Sequence, residues 1–428
     1  MIPVIETKSL SEIKIFQEQK LKELLLYLKD NSPYYSKLFY TNHIDLQQIN
    51  SLEDLAKIPL TSKDDIQQNN QDFYCVSSDQ IIDYTATSGT LGIPVSIALT
   101  ENDLQRLAYN ESLSLACAGG DKNELYQLMA TMDRRFMAGM ASLLGARKLG
   151  AGIIRVGSGI PELQWDTIHK LKPTAIIAVP SFLLKLMDYA EAHGIEYKKC
   201  SVQKAICIGE SIRNMDNELN ALGHRIFQRW PIQLFSTYAS TEMGAAFTEC
   251  EFGNGGHHHP ELLIVEFLDE NNLPLKEGEL GELIITTLGA EGMPLLRFKT
   301  GDICTYHSEP CKCGRTSIRI GPIVGRKQQM IKYKGTTLYP SAFYDILNSI
   351  EHIENYLVEV FSNEMGTDEI IVRIGCRYVP QNFELEIKNH LRAKLRVSPS
   401  IALSSVEEIQ KLQFSETSRK PIVFIDRR

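Results

Sequence analysis

The chain has 428 residues, a formal net charge of −8, and 43% hydrophobic and 23% charged residues. That balance suits a globular protein of two or more domains and argues against a broad nucleic-acid-binding surface. No apolar run approaches the ~20 residues of a membrane span, the first residues lack an export signal, and the nine cysteines are too unevenly spaced for a disulfide framework, so the cytoplasm is the expected compartment.

Residues 8–31 read as a helix with an apolar stripe through Ile13, Phe16, Leu21, Leu24, Leu25 and Leu28, broken at Pro33-Tyr34-Tyr35. A short helix over Ser51–Ile58 precedes the Pro59-Leu60-Thr61 turn. Thr61 to Asp65 carries N-cap residues and early acids, the signature of another helix start. Then comes Thr85-Ala86-Thr87-Ser88-Gly89-Thr90-Leu91-Gly92-Ile93-Pro94, rich in hydroxyls and glycine. Such a loop lets backbone N–H groups approach an anion closely. The alternation of Val95, Ile97 and Leu99 leads it into a strand. No Gly-Lys-Ser/Thr follows, so it is not the P-loop of the nucleotide triphosphatases; a polar surface turn is the competing reading.

Glu101–Ala118 reads as a helix with Leu104, Leu107, Leu113 and Leu115 as its apolar positions. Strands are expected at Leu128–Met132, Gly152–Val156, Ala175–Val179 and Lys204–Ile208. Helices alternate with them at Ala141–Lys148, Pro161–Leu171, Phe182–His193 and Asn214–Leu222. This pattern argues for a parallel sheet covered by helices. Ile208-Gly209-Glu210-Ser211 leaves a strand, where open α/β sheets place ligands. Leu234 to Glu242 is a strand followed by a loop of small residues with one Tyr and one Glu. After Cys250 the pattern changes to short strands, Leu262–Leu268 and Glu282–Thr287, an antiparallel β subdomain. Gly325-Arg326 to Gly335 is a basic, glycine-bounded turn and the expected domain boundary. The segments beyond it, Ser341–Ser349, Tyr356–Phe361, Glu369–Cys376, Phe383–Leu395 and a final strand, make a small α+β unit. The expected fold class is α/β. A large N-terminal domain of mixed and parallel sheets covered by helices spans 1–325, including a β subdomain at about 245–320, and an α+β C-terminal domain spans 326–428.

Cys250, His257, His258, His259, Cys311 and Cys313 fall in the β subdomain. Cys-x₆-His and Cys-Lys-Cys-Gly supply three thiols and one imidazole, a donor set for tetrahedral Zn²⁺. Gly314 permits the sharp turn of a ligand knuckle. The expected ligands are Cys250, His257, Cys311 and Cys313, with Cys304 in reserve; His257 and His259 would share a face of a strand. Four protein ligands leave no open position, so the zinc would be structural and would contribute folding free energy. Free buried cysteines beside a polar histidine run are the alternative.

Thr87-Ser88-Gly89-Thr90, Gly209-Glu210, Tyr238 to Glu242, Arg297-Phe298-Lys299-Thr300-Gly301-Asp302, Gly325-Arg326 and a lone late lysine follow one another in a set order. That order resembles the motifs of the adenylate-forming enzymes. The specific parts are Pro-Leu-Leu-Arg-Phe-Lys-Thr-Gly-Asp (294–302) and Lys332-Tyr333-Lys334-Gly335 followed by Leu338-Tyr339-Pro340. Length, the short N-terminal region and the cysteine cluster make the chain similar to phenylacetate–CoA ligases within that superfamily, from about Tyr34 to Arg428.

The resemblance implies an ATP-dependent ligase for an aryl or arylacetic acid. An acyl-adenylate forms with loss of pyrophosphate, and coenzyme A then displaces AMP to give a thioester. Thr85, Thr87, Ser88, Gly89 and Thr90 would hold the phosphates, and Glu242 would bind Mg²⁺ through a hard oxygen. Tyr238 would stack on adenine. Gly209, Glu210, Ser211, Ser236, Ala239, Ser240, Thr241 and Ile320 would complete the nucleotide pocket. Asp302 would accept both ribose hydroxyls. Lys420 would neutralise charge developing in adenylation, and Arg326 would sit by the hinge or the phosphate. The acyl pocket would fall at 133–140, with Phe136, Ala138 and Met140 lining it, Gly139 admitting a ring, and Arg134 and Arg135 facing a carboxylate or solvent. The C-terminal domain would be a mobile lid turning about Gly325–Lys327. The expected cofactors are ATP, Mg²⁺, coenzyme A as co-substrate and a structural Zn²⁺. The expected partner is a small carboxylic acid, with no nucleic acid and no membrane, and a homodimer is compatible with the sequence. Ser236, Ala239, Gln328 and Gln329 depart from the Asp, Gly and Asp residues usual in the family. An AMP-forming ligase or adenylyltransferase with an acceptor other than CoA competes with this reading, as does a nucleotide-binding scaffold.

Overall fold

A computed structural model of the chain describes residues 2–87, 95–333, 336–362, 368–414 and 421–428. Two compact units emerge. The larger comprises Met1–Glu218, Gly223–Thr300 and Cys304–Ile323, and the smaller Leu219–Leu222, Gly301–Ile303 and Val324–Arg428.

In the larger unit, α1 (Leu10–Asn31) starts from a reciprocal cap between Ser9 and Glu12 and buries Ile13, Leu21, Leu24, Leu25 and Leu28. The break at Pro33 is itself a helix start. Ser32 caps α2 (Pro33–Thr41), whose first position takes proline because no N–H is needed there. The segment expected as a helix at Ser51–Ile58 tightens into a 3₁₀ helix over Leu52–Lys57, and α3 (Lys63–Asn69) opens on the Ser62–Asp65 capping box. Two antiparallel strands follow, β1 (Asp83–Ala86) and β2 (Ser96–Leu99), then α4 (Glu101–Cys117).

The central sheet has the order β4-β3-β5-β6-β7-β8. Its strands are β3 (Leu125–Leu128), β4 (Gly152–Arg155), β5 (Ala175–Ala178), β6 (Lys204–Ile208), β7 (Gln233–Ser240) and β8 (Ala245–Thr248). All pairs are parallel except β7–β8. The connecting helices are α5 (Met137–Leu149), α6 (Pro161–Leu171), α7 (Pro180–Ala192) and α8 (Ala221–Arg229). β5 is buried along its whole length, as a strand covered on both faces must be. The helix expected at Asn214–Leu222 is instead a turn. The Asn214 side-chain oxygen accepts from Asp216 N and Glu218 N, and Asn217 sits at φ 62°, so local side-chain bonding outcompetes the helix until Ala221.

A second part of this unit contains β9 (Gly256–His257), β10 (Leu263–Leu268), β11 (Gly281–Thr287), β12 (Phe298–Cys304), β13 (Tyr306–His307) and β14 (Arg319–Ile320), except that Gly301–Ile303 of β12 fall in the smaller unit. β13, β14 and β9 form one small antiparallel sheet, and β10 pairs antiparallel with β11. Their apolar faces join one core that runs from Leu25 and Tyr35 through Phe73 and Ile97 to Ile285 and Phe298.

In the smaller unit, β15 (Gly325–Arg326) pairs with Asp302 and Ile303, and β16 (Ile331–Tyr333) pairs with β17 (Thr336–Leu338). α9 (Pro340–Ser349) and α10 (Phe383–Leu395) share a core with a sheet ordered β20-β19-β18-β21. Those strands are β18 (Asn355–Ser362), β19 (Asp368–Gly375), β20 (Ser400–Ser404) and β21 (Phe424–Asp426), and α11 (Val406–Gln413) precedes the last. No described helix is long and apolar enough to cross a membrane.

Candidate active site and metal centre

Thr85 and Thr87 lie at the end of β1, both buried. Thr87 N donates to Val95 O at 3.0 Å and Thr87 Oγ1 accepts from Val95 N at 3.1 Å, which closes the base of the hydroxyl-rich loop. Ser88, Gly89 and Thr90 lie outside the described residues. Thr85 Oγ1 is buried without a partner among the described residues. Ala86 N donates to Arg135 O at 3.0 Å, so the same base is fastened to the loop ahead of α5.

Gly209 leaves β6 at φ 77°, a conformation that favours glycine. The Glu210 carboxylate accepts from Ser181 N and from Ser181 Oγ, each at 2.9 Å. It therefore caps the first turn of α7, where a negative charge is also favoured by the helix dipole. Ser211 Oγ donates to Arg213 O at 2.9 Å. Arg213 in turn grips Glu249 at 2.8 Å, and Glu249 accepts from Ser236 N at 2.7 Å. Burial pushes the Glu249 carboxyl up, and the Arg213 guanidinium opposes this. These two residues tie the segment after β6 to the middle of β7. Sequence reasoning did not find them, because a buried Arg–Glu pair 36 positions apart leaves no local pattern.

Tyr238 stacks on Phe247 across β7 and β8, with ring centroids 5.9 Å apart and an interplanar angle of 9°. Ala239 is exposed at the end of β7. Ser240 Oγ accepts from Met243 N and Thr241 O from Gly244 N, which closes the turn that carries Glu242. Ile320 lies in β14 and is 2% exposed, part of the apolar core beside β9. In the smaller unit, Asp302 and Arg326 are register partners on β12 and β15, and Arg326 Nε sits 3.2 Å from Asp302 Oδ1. Lys420 is outside the described residues.

Phe136 precedes α5 and is partly buried against a core that includes Tyr126 and Leu128, as are Met132 and Ile208. Ala138 O accepts from Ser142 Oγ at 2.9 Å within α5, and Met140 is partly buried on the same helix. Arg134 and Arg135 are consecutive left-handed residues, at φ 56° and 57°. A Cβ at Gly139 would lie 2.0 Å from Thr131 O. The missing side chain is thus required by the approach of the chain's own backbone, which differs from the expected opening for a ring.

The three consecutive histidines point three ways. His257 Nε2 is 3.5 Å from Cys313 Sγ. His258 Nε2 meets Leu263 O at 2.6 Å, and burial pushes that imidazole down to about 4. His259 Nδ1 meets the Glu6 carboxylate at 2.5 Å. Cys250 Sγ and Cys311 Sγ are 3.6 Å apart. The donor atoms of Cys250, His257, Cys311 and Cys313 all lie within 4.8 Å of one another. Gly314, at φ 96°, turns the knuckle, and Cys311 N donates to Arg315 O at 2.8 Å. The bond with Cys250 pulls the Cys313 thiol down and pushes that of Cys250 up. Arg315 donates to Cys313 Sγ at 3.4 Å and to Glu6 Oε2 at 2.6 Å. Such an outer partner orients a metal ligand and offsets its charge. The donor set fits Zn²⁺ in type and number. Cys304 is buried in the apolar core.

Residues 28–290 match the AMP-binding enzyme family, and the chain belongs to it. It is an enzyme of the adenylate-forming superfamily. Within that superfamily it is 29% identical to the phenylacetate–coenzyme A ligase of Thermus thermophilus, over 87% of this chain and 83% of that one. It is also 29% identical to the phenylacetate–coenzyme A ligase of Escherichia coli, over 87% and 84% of the two chains. Its fold is that of a 2-hydroxyisobutyryl-CoA ligase captured after adenylation, with a TM-score of 0.87 at 20% identity, covering 100% of this chain and 94% of that one.

Proposed function

We propose that this chain is an AMP-forming acid–CoA ligase whose acid is an aryl or arylacetic acid resembling phenylacetate. A carboxylate oxygen attacks the α-phosphorus of ATP and pyrophosphate leaves. The thiol of coenzyme A then attacks the acyl carbon, gives up its proton, and AMP leaves. The observation that carries the reading is similarity to phenylacetate–coenzyme A ligases over nearly the full length of both partners. Phe136, Met132 and Ile208, all partly buried against one core, are apolar side chains of the kind an aromatic acid needs.

Individual roles follow the same reading. The loop based on Thr85 and Thr87, with Ser88, Gly89 and Thr90, holds the β- and γ-phosphates. Glu242 binds Mg²⁺, Tyr238 supplies a stacking face for adenine, and Asp302 takes the ribose hydroxyls. Lys420 stabilises charge developing as the carboxyl–phosphorus bond forms. Cys250, His257, Cys311 and Cys313 hold a structural Zn²⁺, supported by the convergence of their donor atoms.

The test is pyrophosphate release across a panel of carboxylic acids, with and without CoA. Arylacetic acids should trigger release, with CoA-dependent AMP formation following. Acid-dependent release that ignores CoA would assign another acceptor, and silence across the panel would end the ligase reading. Lys420→Ala should slow acyl-adenylate formation ~10²–10³-fold and spare thioester formation from supplied acyl-adenylate. Equal loss of both half-reactions would remove Lys420 from the adenylation step.

A further inference from the structure

α4 presents Asp103, Arg106 and Asn110 on one face, at helical spacing. Each reaches a different part of the larger unit. Asp103 accepts from Glu291 N and Gly292 N, both at 2.8 Å. Asn110 exchanges two bonds with the backbone of Ala246 in β8, at 2.8 and 3.3 Å. Arg106 lies between them and spends its donors on backbone carbonyls of three segments. Its Nε donates to Leu288 O at 2.8 Å, its Nη2 to Leu262 O at 2.7 Å, and its Nη1 to Gly244 O at 2.9 Å and Met243 O at 3.4 Å. Burial pushes its guanidinium down to about 10.

Met243 and Gly244 are the two residues that follow Glu242. Gly244 is at φ 52°, and a Cβ there would stand 3.3 Å from Arg106 Nη1. Within the turn, Met243 N donates to Ser240 Oγ and Gly244 N to Thr241 O, at 3.3 and 3.2 Å. The turn's attachments to the rest of the unit are the guanidinium and the Met243 side chain, buried in the core. The planar fork spreads its donors over four carbonyls of three segments; a compact ammonium has three donors on one atom and cannot reproduce that spread.

We propose that Arg106 is a positioning residue for adenylation: it anchors the Ser240–Gly244 turn to the Leu262 and Leu288 segments and so fixes where the Glu242 carboxylate can meet Mg²⁺. The inference rests on Glu242 being the Mg²⁺ ligand. Partners that orient a ligand tune metal affinity without touching the metal.

The experiment follows the thermal midpoint at saturating ATP as MgCl₂ is raised, in the wild type and in Glu242→Gln, Arg106→Lys and Gly244→Ala. This readout does not depend on knowing the acid, because a ligand that binds only the folded state raises the midpoint. Arg106→Lys keeps the charge and loses the fork. Gly244→Ala presses on the same contact from the other side. Both should raise the MgCl₂ concentration giving half of ATP's stabilisation by about 10-fold, as Glu242→Gln should or more. If Arg106→Lys does not fold, Gly244→Ala decides. A shift in Glu242→Gln with wild-type titrations in the Arg106 and Gly244 variants overturns the inference alone. A wild-type titration in Glu242→Gln removes the metal role of Glu242, and the inference falls with it.

Discussion

Gly139 shows how one missing side chain can have two explanations that only coordinates separate. In sequence it reads as space left for a substrate ring. In the structure that space is filled by the Thr131 carbonyl, 2.0 Å from where a Cβ would stand. Gly139→Ala should therefore destabilise the fold by ~1–3 kcal/mol, the usual cost of overpacking. Urea denaturation measures this, and an unchanged midpoint would mean that the Thr131–Phe136 loop yields freely. Asp302 teaches a similar lesson. A lone acid in a Lys-Thr-Gly-Asp run suggests a free acceptor, whereas here one of its oxygens faces Arg326 at 3.2 Å. Residue types and spacing were legible for the small-residue turns and for the grouping of Cys250, His257, Cys311 and Cys313. The partners were not, because Glu210 with Ser181, Arg213 with Glu249 and Arg106 with its carbonyls meet only through the fold.

At the scale of elements, α4 and α5 pack so closely that a Cβ at Gly145 would lie 2.5 Å from Glu111 Cβ. The Glu111 carboxyl is trapped in that contact beside Ser142 Oγ at 3.3 Å, and burial pushes it up to about 7. The folded chain therefore keeps a proton that the unfolded chain releases above the ordinary value of 4.5. Stability is fully present below that value and is lost as pH rises through the folded one. Glu111→Gln, which keeps the hydrogen bond without the charge, should flatten this decline and be the more stable form above about pH 7. Urea midpoints on either side of the window test it, and parallel pH profiles for the two proteins would refute it. The helices and strands themselves were largely legible, since apolar periodicity and β/α alternation are local signals. Two exceptions stand out: the strand expected at Leu128–Met132 runs over Leu125–Leu128, and Asn214–Leu222 is a turn because an asparagine bonds to its own backbone, a competition that helix propensity does not record.

For the whole molecule, the α/β class and the ligase family were readable from the order of motifs along the chain. Long-range wiring was not. The cysteine knuckle is a mixed case: its four donors were grouped from the sequence, and its contacts through Arg315 to Glu6 were not. Protein purified without added zinc should carry about one Zn per chain, and stripping it with a chelator should lower the thermal midpoint, because metal binding is then part of the folding free energy. A metal-free preparation with an unchanged midpoint would assign the cluster to free thiols instead. The knuckle also reaches the start of the chain: Arg315 bonds to both Cys313 and the fully buried Glu6.

That bond has a consequence for synthesis on the ribosome. Glu6 and Arg315 are 309 positions apart. At 5–20 residues per second, the first residues emerge roughly 15–60 s before their cation has been translated. Throughout that interval the Glu6 carboxylate has no counter-ion from the knuckle and must stay hydrated. His259, the other partner of Glu6, is made earlier, and the cation that completes the pairing arrives with the last-made stretch of the large unit.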